Sequence, residues 1–310
     1  MDIKKTLSIF LDTDSLYSTA IFDTESDDKE NIQPITLDIE PKTHDSLDSE
    51  PRFTQKEILG QGGMGAVHSA YDRVLNRKVA IKSMLHSVRS SSSYWKRFYR
   101  EAQITAQLAH PSIVPVYSIE FDRSNQPSLI MKKIQGYTLS EFIREMKAKP
   151  EIIQKQAQKY GIMPRLEIMI KICDAIHYAH SKGVIHRDLK PDNIMVGQFE
   201  DVYVMDWGIA SPQQEDIAEQ NLTMDVPDLG IKTMSGSAIG TPAYMPPEQA
   251  RGDIDEICYS SDQFAFGMML YEILSLQRAR PNNAVLEVLE EAKAGLLSHL
   301  DKDLSPLDPR

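Results

Sequence analysis

The chain has 310 residues, 41% of them hydrophobic and 25% charged, which suits a soluble globular protein of one large domain or two lobes with a sizeable core. Its net charge of -11 is concentrated at the start, where residues 1–51 hold 13 acidic and 4 basic side chains; the nearly neutral remainder lacks the basic stripe of a nucleic-acid binder. Two cysteines, Cys173 and Cys258, exclude a disulfide framework, and no run approaches the ~20 apolar residues of a membrane span, so the chain reads as cytoplasmic with an anchor beyond Arg310 left open.

Residues 1–51 pair low hydrophobicity with like charge, which leaves little apolar surface to offset the entropy of ordering. They read as a mostly disordered acidic arm with a short strand as an option around Leu7–Leu11. Ser8–Leu16 is broken by Asp12 and Asp14 and makes a poor signal-peptide core. From Arg52 the texture changes. Phe53–Gly60, Gly65–Tyr71 and Arg77–Ser83 read as strands, with a turn at Asp72–Asn76. Ser93–Ala109 has helical period, and Val114–Phe121 and Ser128–Ile134 read as two further strands. Beyond them the chain is mainly helical, over Leu139–Lys147, Arg165–Ser181, Ser261–Leu276 and Val285–His299, with an insertion at Lys149–Pro164. The implied class is α+β. An N-lobe over 52–134 carries five antiparallel strands and one helix, and a mainly helical C-lobe covers 135–310.

Three motifs carry chemistry. The first is the run Gly60, Gln61, Gly62, Gly63, Met64, Gly65, Ala66 and Val67, with the spacing G-x-G-x-x-G. A dinucleotide fold would open a helix here. The chain instead continues as a strand, which places the glycines at a hairpin tip where backbone can approach phosphates without a Cβ in the way. The second is Val79-Ala-Ile-Lys82, in which Lys82 ends an apolar strand and is a candidate clamp on the α- and β-phosphates. Glu101 on the following helix is its candidate partner. The third is the octapeptide His186-Arg-Asp-Leu-Lys-Pro-Asp-Asn193, followed by Asp206-Trp-Gly208. Asn193 and Asp206 offer oxygens to Mg²⁺ (or Mn²⁺), Asp188 can orient a hydroxyl, and Lys190 can meet charge on a transferred phosphoryl group.

These motifs, in this order, resemble the eukaryotic-like (Hanks-type) Ser/Thr protein kinases, and the wording of His110-Pro-Ser-Ile-Val-Pro-Val-Tyr117 and Pro247-Glu-Gln-Ala-Arg-Gly252 is closest to the bacterial members. The resemblance runs from roughly Phe53 to His299 and implies a bilobal fold, ATP with Mg²⁺, and protein substrates. It implies that Met131 is the gatekeeper, that the Lys132–Ile134 backbone forms the adenine hinge, and that Val67, Ala80 and Met195 flank the ring. Thr241 to Glu248 matches the substrate-docking segment, and Asp262 the aspartate that braces the catalytic loop. Lys190 together with Thr241 is the Ser/Thr pattern. Arg187 beside Asp188 implies control by a phosphate on the activation segment, with Thr233 and Ser235 as candidate autophosphorylation sites and a homodimer as one route to them.

The sequence departs from that pattern in places. Trp207 stands where a phenylalanine is usual, packing behind the helix of Glu101. An acidic insert, Gln213–Gly230, reads as a surface loop that screens basic substrates. The arginine that the family pairs with Glu248 has no counterpart, since Arg278 and Arg280 come too soon after it. On that ground the C-lobe reads as C-terminally incomplete. A catalytically weak or inactive nucleotide-binding scaffold is therefore the rival reading, and a small-molecule phosphotransferase is disfavoured by the docking segment. His177 and His180 read as helix-surface residues, His186 as structural beneath Trp207, and the 14 methionines as core filling.

Overall fold

The computed structural model of the chain describes residues 51–61, 65–85, 92–122, 124, 126–207, 211–212, 242–281 and 284–297, all within one compact unit, His44–Arg310. The arm up to residue 50, the loop tip Gly62, Gly63 and Met64, the insert Gln213–Gly230, Thr233, Ser235, Thr241 and the chain beyond Leu297 lie outside the described residues.

Strands β1 (Phe53–Gln61), β2 (Gly65–Asp72), β3 (Arg77–Met84), β4 (Val116–Phe121) and β5 (Pro127–Lys132) form one antiparallel sheet in the order β1-β2-β3-β5-β4. The β2–β3 turn closes on Asn76, whose φ of 51° suits a residue type that tolerates the left-handed region. Val79, Ala80 and Ile81 are all buried because β3 is covered on both faces. On one face Val79 and Ile81 cluster with Ala70, Ile130 and Phe53. On the other, Met84 and Leu129 meet Phe98 and Ala102 of helix α1 (Ser92–Gln107). Burying one such aliphatic or aromatic side chain is worth about 1.5–3 kcal/mol, so this face holds α1 against the sheet.

After β6 (Gly136–Thr138) the sequence Thr-Leu-Ser-Glu starts helix α2 (Leu139–Ala148) with a capping box. Thr138 Oγ1 accepts from Glu141 N at 3.1 Å, and Glu141 Oε2 accepts from Thr138 N at 2.8 Å. The expected insertion folds into two short helices, α3 (Glu151–Lys155) and α4 (Ala157–Tyr160). Tyr160 stacks on Phe142 at 5.1 Å and donates to Glu145 at 2.8 Å, which binds the insertion to α2. Helix α5 (Ile162–Ser181) starts earlier than expected, because Pro164 falls in its first turn, where no intrahelical N–H is required.

The short strands β7 (Val184–Ile185), β8 (Ile194–Gly197), β9 (Val202–Val204) and β10 (Ser211–Pro212) follow; β8 pairs with β6 and β9, and β7 with β10. Helices α6 (Pro247–Arg251), α7 (Tyr259–Ser275) and α8 (Val285–Lys293) complete the described chain. Helix α8 stops well short of His299. Gly295 takes a φ of 70° there, and Leu296 N donates back to Glu291 O at 2.9 Å, a left-handed terminus that only glycine reaches without strain. The main core joins α2, α5, α7, β8 and β9, and includes Ile104 of α1 and Leu108 just past its end, so the helix that carries Glu101 is packed on both lobes.

Candidate active site

Lys82 sits on β3 on the face that looks toward α1, and its ammonium donates to Glu101 Oε1 at 2.5 Å and to Asp206 Oδ1 at 3.1 Å. The sequence separates these residues by 19 and 124 positions; the β3–α1 packing and the loop after β9 bring them together. Burial alone would lower the Lys82 pKa, but the two carboxylates more than offset it and hold the ammonium above its ordinary range. Burial, reinforced by Asp206, pushes the Glu101 carboxyl up against the pull of Lys82. Lys82 in turn holds Asp206 below the usual carboxylate range. Asp206 has a φ of 62°, a left-handed backbone at a non-glycine residue that turns its carboxylate toward Lys82. Arg97 lies one helical turn before Glu101 and feels the fields of Asp206, Glu101 and Asp188. Sequence reading did not single it out, although its i, i+4 relation to Glu101 was the available signal.

A second cluster is built on the loop between β7 and β8. Asp188 Oδ2 accepts from Lys190 Nζ at 2.7 Å and from Asn193 Nδ2 at 3.1 Å. The Asn193 amide also donates to Asp188 O at 2.8 Å, which fixes the carboxamide and directs its Oδ1 away from Asp188. Asp262, 1% exposed on α7, holds the loop from beneath. It accepts from His186 N at 2.8 Å and Arg187 N at 2.9 Å, and it keeps Arg187 at a φ of 68°. His180 is not a free surface residue. Its Nε2 lies 2.8 Å from Asp262 Oδ2 and its ring stacks on Tyr259, contacts that α5 alone could not reveal. His186 is fully buried; its Nδ1 accepts from Asp188 N at 3.2 Å, so Nε2 carries the proton toward Met205 O at 3.1 Å.

Around these clusters, Ala80 pairs with Met131 and Val67 with Lys82, which puts the expected adenine-flanking residues on one face of the sheet; Met195 lies on β8 opposite Thr138. The Lys132 N–H is committed to Pro115 O at 3.0 Å, and its ammonium to the Tyr203 hydroxyl, so within Lys132–Ile134 that amide is already used. Gly60 and Gln61 end β1, with Gly60 opposite Val67 and Gln61 opposite Ala66. A Cβ at Gly65 would lie 2.7 Å from Ser83 O, so this glycine is required by strand pairing alone, whatever it offers a phosphate. Glu248 Oε1 accepts from Ser261 Oγ at 2.5 Å, and Arg278 and Arg280 are engaged elsewhere.

Trp207 has no exposed surface, sits in the main core and lies 4.6 Å from the His186 ring. Its indole Nε1 is buried with no acceptor among the described residues. Replacing it by phenylalanine would remove that unpaired donor, a gain of about 1–3 kcal/mol, and leave a void that costs a similar amount. Trp207→Phe is expected to change unfolding free energy by less than about 1 kcal/mol, as measured by urea denaturation. A larger loss would show that the indole has a partner or a role of its own.

Among the described residues no group of three or more His, Cys, Asp or Glu side chains could hold a metal ion, and no helix is long and apolar enough to cross a membrane. Asn193 Oδ1 and the half-exposed, ionised Asp206 are a donor pair that suits Mg²⁺, which takes one or two protein oxygens and completes its shell with phosphate and water.

The protein kinase domain model matches residues 53–303. The chain is 38% identical over 227 residues to the serine/threonine-protein kinase PknD of Chlamydia pneumoniae, which covers 73% of this chain and 24% of that protein. It is 40% identical over 225 residues to PknD of Chlamydia abortus (71% and 24%) and 38% identical over 227 residues to PknD of Protochlamydia amoebophila (71% and 22%). The match therefore spans about a quarter of the length of these relatives. A sheet lobe and a helical lobe with two charged clusters between them, matched over most of its length by this model, place the chain in the protein kinase family.

Proposed function

We propose that the chain is a protein-serine/threonine kinase that transfers the γ-phosphoryl group of Mg-ATP to protein hydroxyls. The observation that carries this reading is the Asp188–Lys190–Asn193 cluster, held by Asp262 and within electrostatic reach of the Lys82–Glu101–Asp206 cluster. Lys82, kept charged by Glu101, meets the α- and β-phosphates beneath the loop that begins at Gly60 and Gln61. Val67, Ala80, Met131 and Met195 enclose the base. Asn193 and Asp206 hold the metal, which when bound neutralises charge on the phosphates. Asp188 accepts the acceptor hydroxyl's hydrogen bond and proton, and Lys190 faces the transferred group. The chemistry is positioning plus electrostatics, with turnover on the order of 1–100 s⁻¹.

Regulation by a phosphate on the activation segment has a physical basis in Arg187. Burial lowers its pKa and the nearby Arg100 of α1 lowers it further, so two cations on different lobes repel one another across this site. A phosphate at Thr233 or Ser235 would offset that repulsion and draw α1 toward the loop.

The full chain incubated with Mg-ATP and a pool of Ser- and Thr-containing peptides is expected to place acid-stable phosphate on the peptides or on itself, and a chelator is expected to abolish it. No chelator-sensitive label on either would reject the reading.

A further inference from the structure

Glu272 of α7 is only 3% exposed, yet three side chains from three segments end on it. The Tyr244 hydroxyl, from the 3-10 turn Pro242–Tyr244, donates to Oε2. Lys147, from the last turn of α2, donates to Oε1 at 3.0 Å, and Arg278, just past α7, brings Nε to 3.4 Å of the same oxygen. The carboxylate is buried and fully engaged, so a basic side chain of a substrate cannot reach it. The two cations are different. The Lys147 side chain is 37% exposed and that of Arg278 is 47% exposed, and among the described residues the one carboxylate within ion-pair distance of them neutralises only one of their two charges.

The position is as telling as the charge. Tyr244 lines the same cleft as Arg187, Asp188 and Leu189, and α2 packs on the turn Pro191–Asn193 that closes the catalytic loop. A peptide with its hydroxyl at Asp188 therefore passes beside the surplus positive charge. Asp192, exposed on that turn, bears on Tyr244 but lies within ion-pair distance of neither Lys147 nor Arg278, so it does not neutralise them.

We propose that Lys147 and Arg278, gathered on buried Glu272 beside Tyr244, form a subsite that takes an Asp or Glu carboxylate of the protein substrate close to the acceptor hydroxyl. The proposal rests on the kinase reading and adds the substrate class: acidic Ser/Thr sequences. The chain itself contains such a sequence, Ile21-Phe-Asp-Thr-Glu-Ser-Asp-Asp-Lys-Glu30.

A synthetic peptide of that sequence and its counterpart with every Asp and Glu replaced by Asn and Gln would be compared on the full chain, by fluorescence anisotropy and by phosphoryl transfer. Two half-exposed ion pairs predict about a tenfold tighter Kd and lower KM for the acidic peptide. Raising the salt from 50 to 500 mM should shrink that ratio in the unaltered protein, and K147Q/R278Q should bring it near one at low salt. Equal binding of both peptides, or a preference that survives the double substitution and high salt, overturns the subsite. Salt-sensitive selective binding without any transfer would instead uphold the subsite and reject the kinase reading.

Discussion

Asp188→Asn is expected to lower kcat by about 10²–10⁴-fold with little change in the KM for ATP. The carboxylate sits between two donors, Lys190 Nζ at 2.7 Å and Asn193 Nδ2 at 3.1 Å, and in the proposed reading it is the acceptor for the substrate hydroxyl. An asparagine of nearly the same shape keeps one oxygen for those donors but loses the charge and the basicity. In the proposed reading ATP is held by different groups, Lys82 of β3 with Glu101 and Asp206, so nucleotide affinity should stay within about twofold. The backbone bonds that place the loop, Asp262 to His186 N and Arg187 N, do not involve the altered atom, so the thermal midpoint should barely move. Steady-state kinetics with a peptide substrate, beside a melting curve, checks both. A variant that keeps more than a tenth of the parent kcat would remove Asp188 from the chemistry.

Much of this arrangement is legible from sequence because its parts are local. The strands of the N-lobe show as alternating apolar runs bounded by turn residues, and the loop from His186 to Asn193 as one contiguous phrase. The antiparallel pairing on either side of the glycines is equally local, since Gln61 at the end of β1 pairs with Ala66 at the start of β2. What sequence reading missed lives on contacts between distant segments. His180 has the spacing of a surface residue on α5, and only the packing of α7 against that helix brings Asp262 to its ring. Arg97 looks like any arginine of an amphipathic helix until β3 and Asp206 arrive on its side. Helix ends moved for a related reason. The helical period of the last segment continues to His299, but a left-handed Gly295 stops α8 first, a backbone event that side-chain periodicity does not register.

The clearest case is Arg280, which sequence reading set aside because it follows Glu248 too closely. The structure agrees that it does not pair with Glu248, whose Oε1 is taken by Ser261. It has a different task. Arg280 is 1% exposed, and its guanidinium donates to Met245 O at 2.7 Å, Pro242 O at 3.2 Å and Leu296 O at 3.0 Å, with the Phe264 ring 5.4 Å away. One side chain thus ties the turn Pro242–Tyr244 to α7 and to the end of α8, and Leu296 O, just past that helix, adds the favourable field of its C-terminus. Arg280→Met fills much of the volume but leaves the three carbonyls without this donor. Unpaired carbonyls cost about 1–3 kcal/mol each, and removing Nη2, buried without a partner among the described residues, returns part of that. The expected net loss is about 2–4 kcal/mol, a large share of the 5–15 kcal/mol typical of a domain. A turn released in this way should also bind peptide less well, so the KM for peptide should rise more than the KM for ATP, with Arg280→Lys recovering part of both losses. Urea denaturation and peptide kinetics on the three proteins decide it. A methionine variant that unfolds at the parental urea midpoint and keeps the parental peptide KM would show that the turn Pro242–Tyr244 keeps its place without Arg280, held by the bond of Tyr244 to Glu272.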